Sequence, residues 1–291
     1  MRRREFIMLL GGAAAAWPLA ARAQQAVSKM PRIGIIDPGA KWEDHFRQGL
    51  RDLGYVEGRN IAIEHRSTEE TPDRLVAAAT ELAQLPVDVI VTFGSEATQA
   101  AKQATTKIPI VMVAIGDPVR AGFVASLAHP GGNITGNTIL AEVAAKRLQL
   151  LKLAVPTMSR VAFLWNPDNP SHAAYLDEWK AAAPALGVEM LFVAVRSSDE
   201  FDSAFAAMMR QRPDAFTMTG DFLHQLHIGW IIDFLARNRL PGTYQVRENV
   251  VAGGLMSYGA SLPDLERRAA SFFAQSARIP APRASIRINL N

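Results

Sequence analysis

The chain of 291 residues contains no cysteine. Disulfide bonds, thiol nucleophiles, iron–sulfur clusters and cysteine-ligated zinc are therefore excluded. Phosphate-binding glycine loops are missing as well, because no Gly-Lys-Ser/Thr sequence occurs and no Gly-x-Gly-x-x-Gly follows the first predicted strand. The nucleophile elbow Gly-x-Ser-x-Gly is also absent. The sequence thus gives no local support to a phosphate cradle or to a serine hydrolase triad.

Clustered positive charge is lacking once residues 1–23 are set aside. The formal net charge is +3, and residues 1–23, with four arginines and one glutamate, account for all of it. Neither a lysine and arginine run nor a basic patch interleaved with aromatic residues occurs downstream. Because the excess charge belongs to this short segment, it does not indicate a nucleic-acid partner, and we predict none.

Residues 1–23 have the pattern of an export signal. Three arginines follow Met1, residues 7–20 are apolar apart from two glycines and a proline, and Ala21-Arg22-Ala23 has the small side chains that a signal peptidase requires. About fourteen apolar residues are short for a membrane-spanning helix, which takes roughly twenty. We therefore predict cleavage after Ala23 and a periplasmic location.

The arginine pair also suggests an export route. Arg3-Arg4-x-Phe6-Ile7 resembles the twin-arginine signal, which marks precursors that are exported after folding. An ordinary secretory signal with a basic start is the alternative. Both routes end in the periplasm of a Gram-negative cell or at the cell exterior, and no cysteine follows that could carry a lipid anchor.

The region after the signal alternates short apolar, β-branched runs with helical patterns. This alternation predicts an α/β fold, in which parallel strands are joined by right-handed crossovers. The runs fall into two sets of four, and each set spans about a hundred residues. This grouping indicates two lobes. The predicted strands are 33–36, 60–64, 87–92, 108–113, 160–165, 188–193, 215–218 and 242–244.

Helical patterns separate these strands. One helix runs through Phe46, Leu50 and Leu53 and ends at Gly54, and another opens at Thr71-Pro72-Asp73 with a capping residue and a proline. A further helix is predicted from about 141 to 153. Aromatic and aliphatic residues at helical spacing in two later helices are expected in the core. These are Phe201, Phe205, Met208, Met209, Leu226, Trp230, Ile231, Phe234 and Leu235.

Several blocks in fixed order resemble one family. Residues 46–61, FRQGLRDLGYVEGRNI, are similar to a signature segment of the ABC transporter substrate-binding proteins that include tryptophan- and tyrosine-binding members. This family is a branch of the type I periplasmic binding proteins. Further matching blocks are 107–111, 116–119, 126–136, 146–148 and 253–259. The likeness runs from about residue 32 to 270.

The resemblance implies a hinged receptor with two Rossmann-like lobes, no catalysis and no cofactor. Such a receptor captures a small molecule, here an amino acid or a similar compound, and delivers it to an ABC permease in the inner membrane. We expect a monomer or a weak dimer. The implied lobes are residues 30–138 plus about 252–278, and residues 139–251 plus about 284–291.

The carboxyl end departs from the family pattern. Members continue after the helix that begins near Pro263 into a strand and a final helix. Here only a short segment follows, whose last six residues we interpret as the remnant of that strand. The second lobe is therefore expected to be shortened.

Candidate ligand contacts lie at the carboxyl ends of the predicted strands, where ligands bind in such sheets. Ser95 and Glu96 open a helix whose backbone N–H groups suit a carboxylate, although Ser95 has helix capping as an alternative role. Asp117 follows the fourth strand. Its carboxylate could bind an amino group of the ligand, and a role in forming a turn is the alternative. The remaining candidates are Asn166, Asp221, Gln245 and Tyr258.

The histidines give no clear metal site. His224 and His227 lie three apart on a predicted helix, but a third ligand is not visible, so no metal is predicted. The other histidines look isolated along the chain. They are His45, His65, His129 and His172.

An enzyme is the alternative to a receptor. An exported α/β hydrolase or isomerase would use Asp117 or Asp221 as a base. The structural feature that would favour it is a perturbed carboxylate within about 3 Å of a second reactive group in the crevice.

Overall fold

A computed structural model describes residues 30–37, 43–68, 72–139 and 144–277. The predicted export signal and the predicted terminal strand remnant lie outside these ranges. Among the described helices, none combines the length and the apolar character that crossing a membrane requires.

Within the described residues, ten strands form two sheets. The first sheet contains Arg32–Asp37 (β1), Ala62–Ser67 (β2), Val89–Phe93 (β3), Ile110–Ile115 (β4) and Ile134–Thr138 (β5). The second contains Arg160–Trp165 (β6), Glu189–Ala194 (β7), Ala215–Met218 (β8), Gly242–Tyr244 (β9) and Met256–Ser257 (β10). All pairings are parallel, in the orders β2-β1-β3-β4-β5 and β10-β9-β8-β6-β7. The predicted α/β fold with two parallel sheets is confirmed.

Helices cover both faces of each sheet, which is why the central strands are buried along almost their whole length. In the first helix, Phe46 and Leu50 are buried four residues apart, and Gly54 follows with a φ of 84°. The helices are Glu43–Asp52 (α1), Pro72–Gln84 (α2), Ser95–Ala104 (α3), Ala144–Ala154 (α4), His172–Ala182 (α5), Phe201–Arg210 (α6), Phe222–Leu226 (α7), Ile228–Arg237 (α8), Arg247–Val251 (α9) and Leu262–Ser276 (α10).

The last described helix, α10, returns to the first sheet. It packs against α1, β4 and β5, and the Phe273 ring meets the Tyr55 ring edge-on at 5.4 Å. The approach to α1 is so close that a Cβ on Gly49 would lie 2.2 Å from the Arg267 carbonyl oxygen. The core of the first sheet is therefore built from both ends of the described chain.

Strand β5 was not among the predicted strands. Gly136 pairs beside Met112 with a φ of 144°, and a Cβ there would lie 2.0 Å from the Met112 carbonyl oxygen. The Asn137 amide accepts the Ala114 N–H at 3.0 Å and donates to the Leu265 carbonyl at 2.7 Å. A polar edge strand held by side-chain hydrogen bonds has no apolar alternation that sequence inspection would detect.

Three other details differ from the predictions. Strand β2 begins at Ala62, not at Asn60, because the Asn60 side chain bonds the Val56 N–H and the Gly54 carbonyl in a turn. Leu226 and Trp230 were expected in the core, but each is 38% exposed. Strand β10 pairs with β9 in the second sheet, so the chain returns to the first sheet after Ser257 and not at the predicted boundary of 252.

Candidate functional site

A small cavity lies between the carboxyl edges of the two sheets. Gly94, Ser95 and Glu96 after β3 line it from one side, and Gly220 and Asp221 after β8 line it from the other. Its volume is about 40 Å³, which is room for a few water molecules and far less than the roughly 300–1,000 Å³ of ligand pockets. In this arrangement of the two walls, the cavity is therefore smaller than a typical ligand pocket.

Two carboxyl groups from opposite walls meet in this cavity. The Asn169 side-chain amide donates to Glu96 Oε1 at 2.8 Å and to Asp221 Oδ2 at 2.9 Å. Burial, and then the charge of Asp221, raises the pKa of Glu96 well above its ordinary value. The buried position and the charge of Asp221 thus both favour the protonated form of Glu96.

Asp221 keeps its charge in this buried position. Burial opposes ionisation, but His224 and His172 and the hydrogen bonds from Glu96 and Asn169 lower the pKa of Asp221 overall. Its Oδ1 also caps α7 by accepting the Leu223 N–H at 3.0 Å. The second wall thus presents a fixed negative charge to the first.

The predicted isolation of His172 is wrong. Its Nε2 lies 3.7 Å from Asp221 Oδ2, and its ring stacks on His224 with centroids 6.4 Å apart. Burial lowers the pKa of His172 to about 4, so the imidazole is neutral at pH 7. Sequence spacing concealed this contact because His172 and Asp221 lie 49 residues apart and follow different strands.

Ser95 does not cap its helix. The N-cap of α3 is Gly94, without a side-chain hydrogen bond, and the Ser95 hydroxyl instead lies 2.7 Å from the Ser171 hydroxyl on the opposite wall. Tyr175 makes another such bridge, because its hydroxyl donates to the Ile139 carbonyl at 3.2 Å. Burial raises the pKa of Tyr175 to about 12, so it remains a donor.

Three predicted contacts lie outside the cavity. Asp117 Oδ1 accepts the N–H groups of Val119 and Arg120 at 3.0 Å each, which is its alternative role as a turn residue. Asn166 lies behind Asp221, with its amide 3.5 Å from both carboxylate oxygens.

Tyr258 is 41% exposed and lines a wider surface cleft. Gln245, in contrast, borders the cavity and accepts the Gly220 N–H at 2.9 Å. The structure therefore brings together Ser95, Glu96, Asp221 and Gln245 but not the other three predicted contacts.

Sequence reasoning missed several residues of the second wall. Asn169, Ser171 and Tyr175 border the cavity, as does Gly116 from the first sheet. A signal was present, since the turn-forming stretch 166–171, NPDNPS, directly follows a buried strand. Its position at a strand carboxyl end is the same criterion that selected the other candidates.

A second buried acid lies near the same sheet edge. Glu266 on α10 is buried, and its Oε2 is 2.8 Å from His45 Nδ1. Burial, followed by the charges of Glu248, Asp37 and Asp44, raises the pKa of Glu266 to about 8. The folded protein therefore holds a proton here that the unfolded chain releases near pH 4.5.

The raised pKa of Glu266 gives a pH dependence. The stabilisation from the retained proton is fully present below pH 4.5 and is lost as the pH rises toward 8. Relative to Glu266→Gln, we expect the wild type to lose up to about 1.4 kcal/mol of unfolding free energy per pH unit in this window. Urea unfolding at several pH values, in chelating buffer, measures the difference. Parallel pH profiles of the two proteins would contradict the assignment.

The two facing parallel sheets, with a cleft between their carboxyl edges, define a type I periplasmic binding protein fold. Residues 38–276 match the family described as ABC transporter substrate binding protein, so the chain belongs to this family. The family consists of substrate-binding proteins and not of enzymes. The resemblance noted in the sequence is confirmed.

Particular relatives agree with this assignment. A tyrosine-binding protein of Clostridioides difficile is 26% identical over 224 residues, which are 77% of this chain and 64% of the relative, so the chain spans less than two thirds of that relative's length. The ABC domain from Streptococcus pneumonia in complex with L-Trp has a TM-score of 0.80 at 22% identity, with 87% of each chain covered. The ligand-free, open CD0873 from Clostridium difficile has a TM-score of 0.58 at 22% identity, covering 87% of this chain and 88% of that one.

Proposed function

We propose that this protein is the solute-binding component of an ABC importer and captures an amino acid or a similar small molecule in the cleft between its lobes. The observation that carries the proposal is the Glu96–Asn169–Asp221 contact, in which polar groups from both walls converge on one cavity. Convergent polar groups in a concave site between two α/β units are typical of ligand sites.

The chemistry of the pair favours an amino group in the ligand. An ammonium ion between Glu96 and Asp221 would favour the charged form of Glu96, and both carboxylates would then be paired with it. The Ser95 and Ser171 hydroxyls, 2.7 Å apart, are suited to a further polar group of the ligand. One relative is a tyrosine-binding protein and another is a complex with L-Trp, so we propose an amino acid ligand.

Hinge closure is the proposed means of capture. The cavity is too small for an amino acid, and direct hydrogen bonds join its walls. The TM-score is higher for the L-Trp complex than for the open, ligand-free relative, which supports a closed arrangement of the lobes. Opening about a hinge would admit the ligand, and closure would then bury it.

We further propose that the protein acts in the periplasm as a monomer or weak dimer without turnover, and hands its ligand to a permease in the inner membrane. The signal-like residues 1–23 support export. The enzyme alternative draws on the same Glu96–Asp221 pair, because a carboxyl group of raised pKa beside a second carboxylate is what a base mechanism needs. Turnover must therefore be measured together with binding.

A thermal-shift panel tests the proposal. Tryptophan, tyrosine, branched-chain amino acids and small aromatic acids are added at millimolar concentration, and at least one amino acid is expected to raise Tm by about 5–10 °C at a hundredfold excess over Kd. Asp221→Asn should lose this shift because the fixed charge is gone. Asp117→Asn, outside the cavity, is the matched control and should keep it. Absence of any shift, combined with consumption of a panel member, would establish the enzyme instead.

A further inference from the structure

Three side chains that are far apart in sequence converge at the carboxyl edge of β1 and β2. Asp37 is the last residue of β1, His65 lies on β2, and Glu43 is the first residue of α1. His65 Nε2 is 3.8 Å from Asp37 Oδ2 and 3.8 Å from Glu43 Oε2. One donor atom from each residue lies within 4.8 Å of the other two. The prediction that His65 is isolated is therefore wrong.

These distances do not describe hydrogen bonds. A separation of 3.8 Å is too long for a bond from an imidazole to a carboxylate. His65 Nε2 is nevertheless buried, and it makes no hydrogen bond with any residue that the structure describes. A buried ring nitrogen that points between two carboxylates without bonding either leaves a space for a third partner.

The spacing suits a metal ion. Zinc binds imidazole nitrogen and carboxylate oxygen at about 2.0–2.2 Å, and such bonds at tetrahedral angles place ligand atoms roughly 3.4 Å apart. Each of the two histidine–carboxylate distances exceeds that separation by about 0.4 Å, and the two carboxylate oxygens lie within 4.8 Å of each other. Asp37 is fully buried and Glu43 is 13% exposed, so two of the three ligands are already held in place by the fold.

The surroundings carry excess negative charge. The fields of Glu248, Asp37 and Asp44 add to burial in raising the pKa of Glu266 nearby. The ion pair between Glu43 and Arg47 Nη2, at 3.2 Å, compensates one carboxylate, and Arg47 also pairs with Glu57. A divalent cation between Asp37 and Glu43 would be attracted by the negative charge of these carboxylates.

We propose that Asp37, Glu43 and His65 form a binding site for a divalent transition-metal ion, for which zinc is the probe. The imidazole ligand favours zinc over magnesium and calcium, which prefer oxygen. Three protein ligands leave a position for water or for an anionic group. A bound ion joins the first turn of α1 to β1 and β2 beside the cleft. This proposal does not depend on the identity of the transported molecule.

Calorimetric titration of zinc chloride into the tag-free, chelator-treated protein tests the site. The wild type is expected to bind one zinc ion, and His65→Gln and Glu43→Gln are expected to weaken Kd by at least about tenfold. His129→Gln changes an exposed histidine elsewhere in the first half of the chain and should bind zinc as the wild type does. Circular dichroism confirms that each variant is folded, and His65 is suitable because its side chain is 28% exposed.

Two results of the titration would overturn the proposal. One is the absence of a one-to-one zinc complex in the wild type at micromolar protein. The other is unchanged zinc affinity in both His65→Gln and Glu43→Gln, because the metal would then occupy another place. X-ray absorption of the complex should show one nitrogen and carboxylate oxygens at about 2.0–2.2 Å, whereas a shell of several imidazoles would also contradict the assignment. Magnesium at the same concentration is expected to give no heat.

Discussion

Trp179→Ala is expected to lower the free energy of unfolding by about 3–5 kcal/mol, the largest stability effect that we predict for one substitution. Trp179 is fully buried on α5, and its ring lies 5.1 Å from that of Phe163 on β6. The guanidinium of Arg147, itself buried, stacks over the same ring at 5.0 Å. Loss of the indole therefore creates a cavity and also removes the aromatic face from a buried cation.

The matched control for this substitution is Trp230→Ala. Trp230 belongs to the aromatic cluster with Phe205, at 5.1 Å between ring centroids, but it is 38% exposed. We expect it to cost less than half as much, because water already contacts the ring and can fill the space. Urea unfolding followed by circular dichroism compares the two variants. An equal or larger loss for Trp230→Ala would show that burial in the second sheet is misassigned.

Gly116→Val is expected to weaken ligand binding by about 10- to 100-fold while leaving the fold intact. Gly116 follows β4 in the first sheet, and a Cβ there would lie 2.8 Å from the Tyr175 hydroxyl oxygen and 3.0 Å from Ser171 Cβ in the second wall. Overpacking of a close contact costs about 1–3 kcal/mol, and each 1.4 kcal/mol is a tenfold change in Kd. The cost falls on the closed arrangement because that is where the two walls meet.

The binding measurement uses the amino acid that gives the largest thermal shift with the wild type. Gly132→Val is the control, because no atom lies within 4 Å of a Cβ at that position, and its affinity should be unchanged. Small-angle X-ray scattering gives a second measurement, in which ligand contracts the wild type but not Gly116→Val. Wild-type affinity together with normal contraction in Gly116→Val would rule out wall contact as part of closure.

The fold was largely predictable where apolar residues are contiguous. Strands β6 and β8 fall where the sequence placed them because each is a short, mostly apolar run buried by its neighbours. Strand β5 was not predictable in this way, since Gly136 and Asn137 serve contacts with Met112 and α10 and not a hydrophobic pattern. Helical spacing likewise could not show that Trp230 lies at the edge of its cluster.

The site was predictable only in outline. The rule that ligands bind at strand carboxyl ends selected Ser95, Glu96, Asp221 and Gln245, which the structure places around one cavity. Whether Ser95 caps its helix or contacts another side chain depends on which residue it meets on the opposite wall. Ser95 meets Ser171 and does not cap α3, and Asp117 satisfies its own turn. The partner of Ser95 lies on the other wall and cannot be read from local sequence, whereas the Asp117 turn is local and was one of its two predicted roles.

The return of α10 to the first sheet bears on the order of events during synthesis. Among the described residues, the strands of the second sheet and their helices occupy one unbroken stretch, residues 144–257, whereas the first core needs Phe273 from α10 beside Tyr55. Domains generally fold as units when their parts have left the ribosome. We therefore expect the later half of the chain to become protease-resistant first in a growing polypeptide. The earlier half would wait for its final helix, and during that delay its apolar sheet face is open to chaperones.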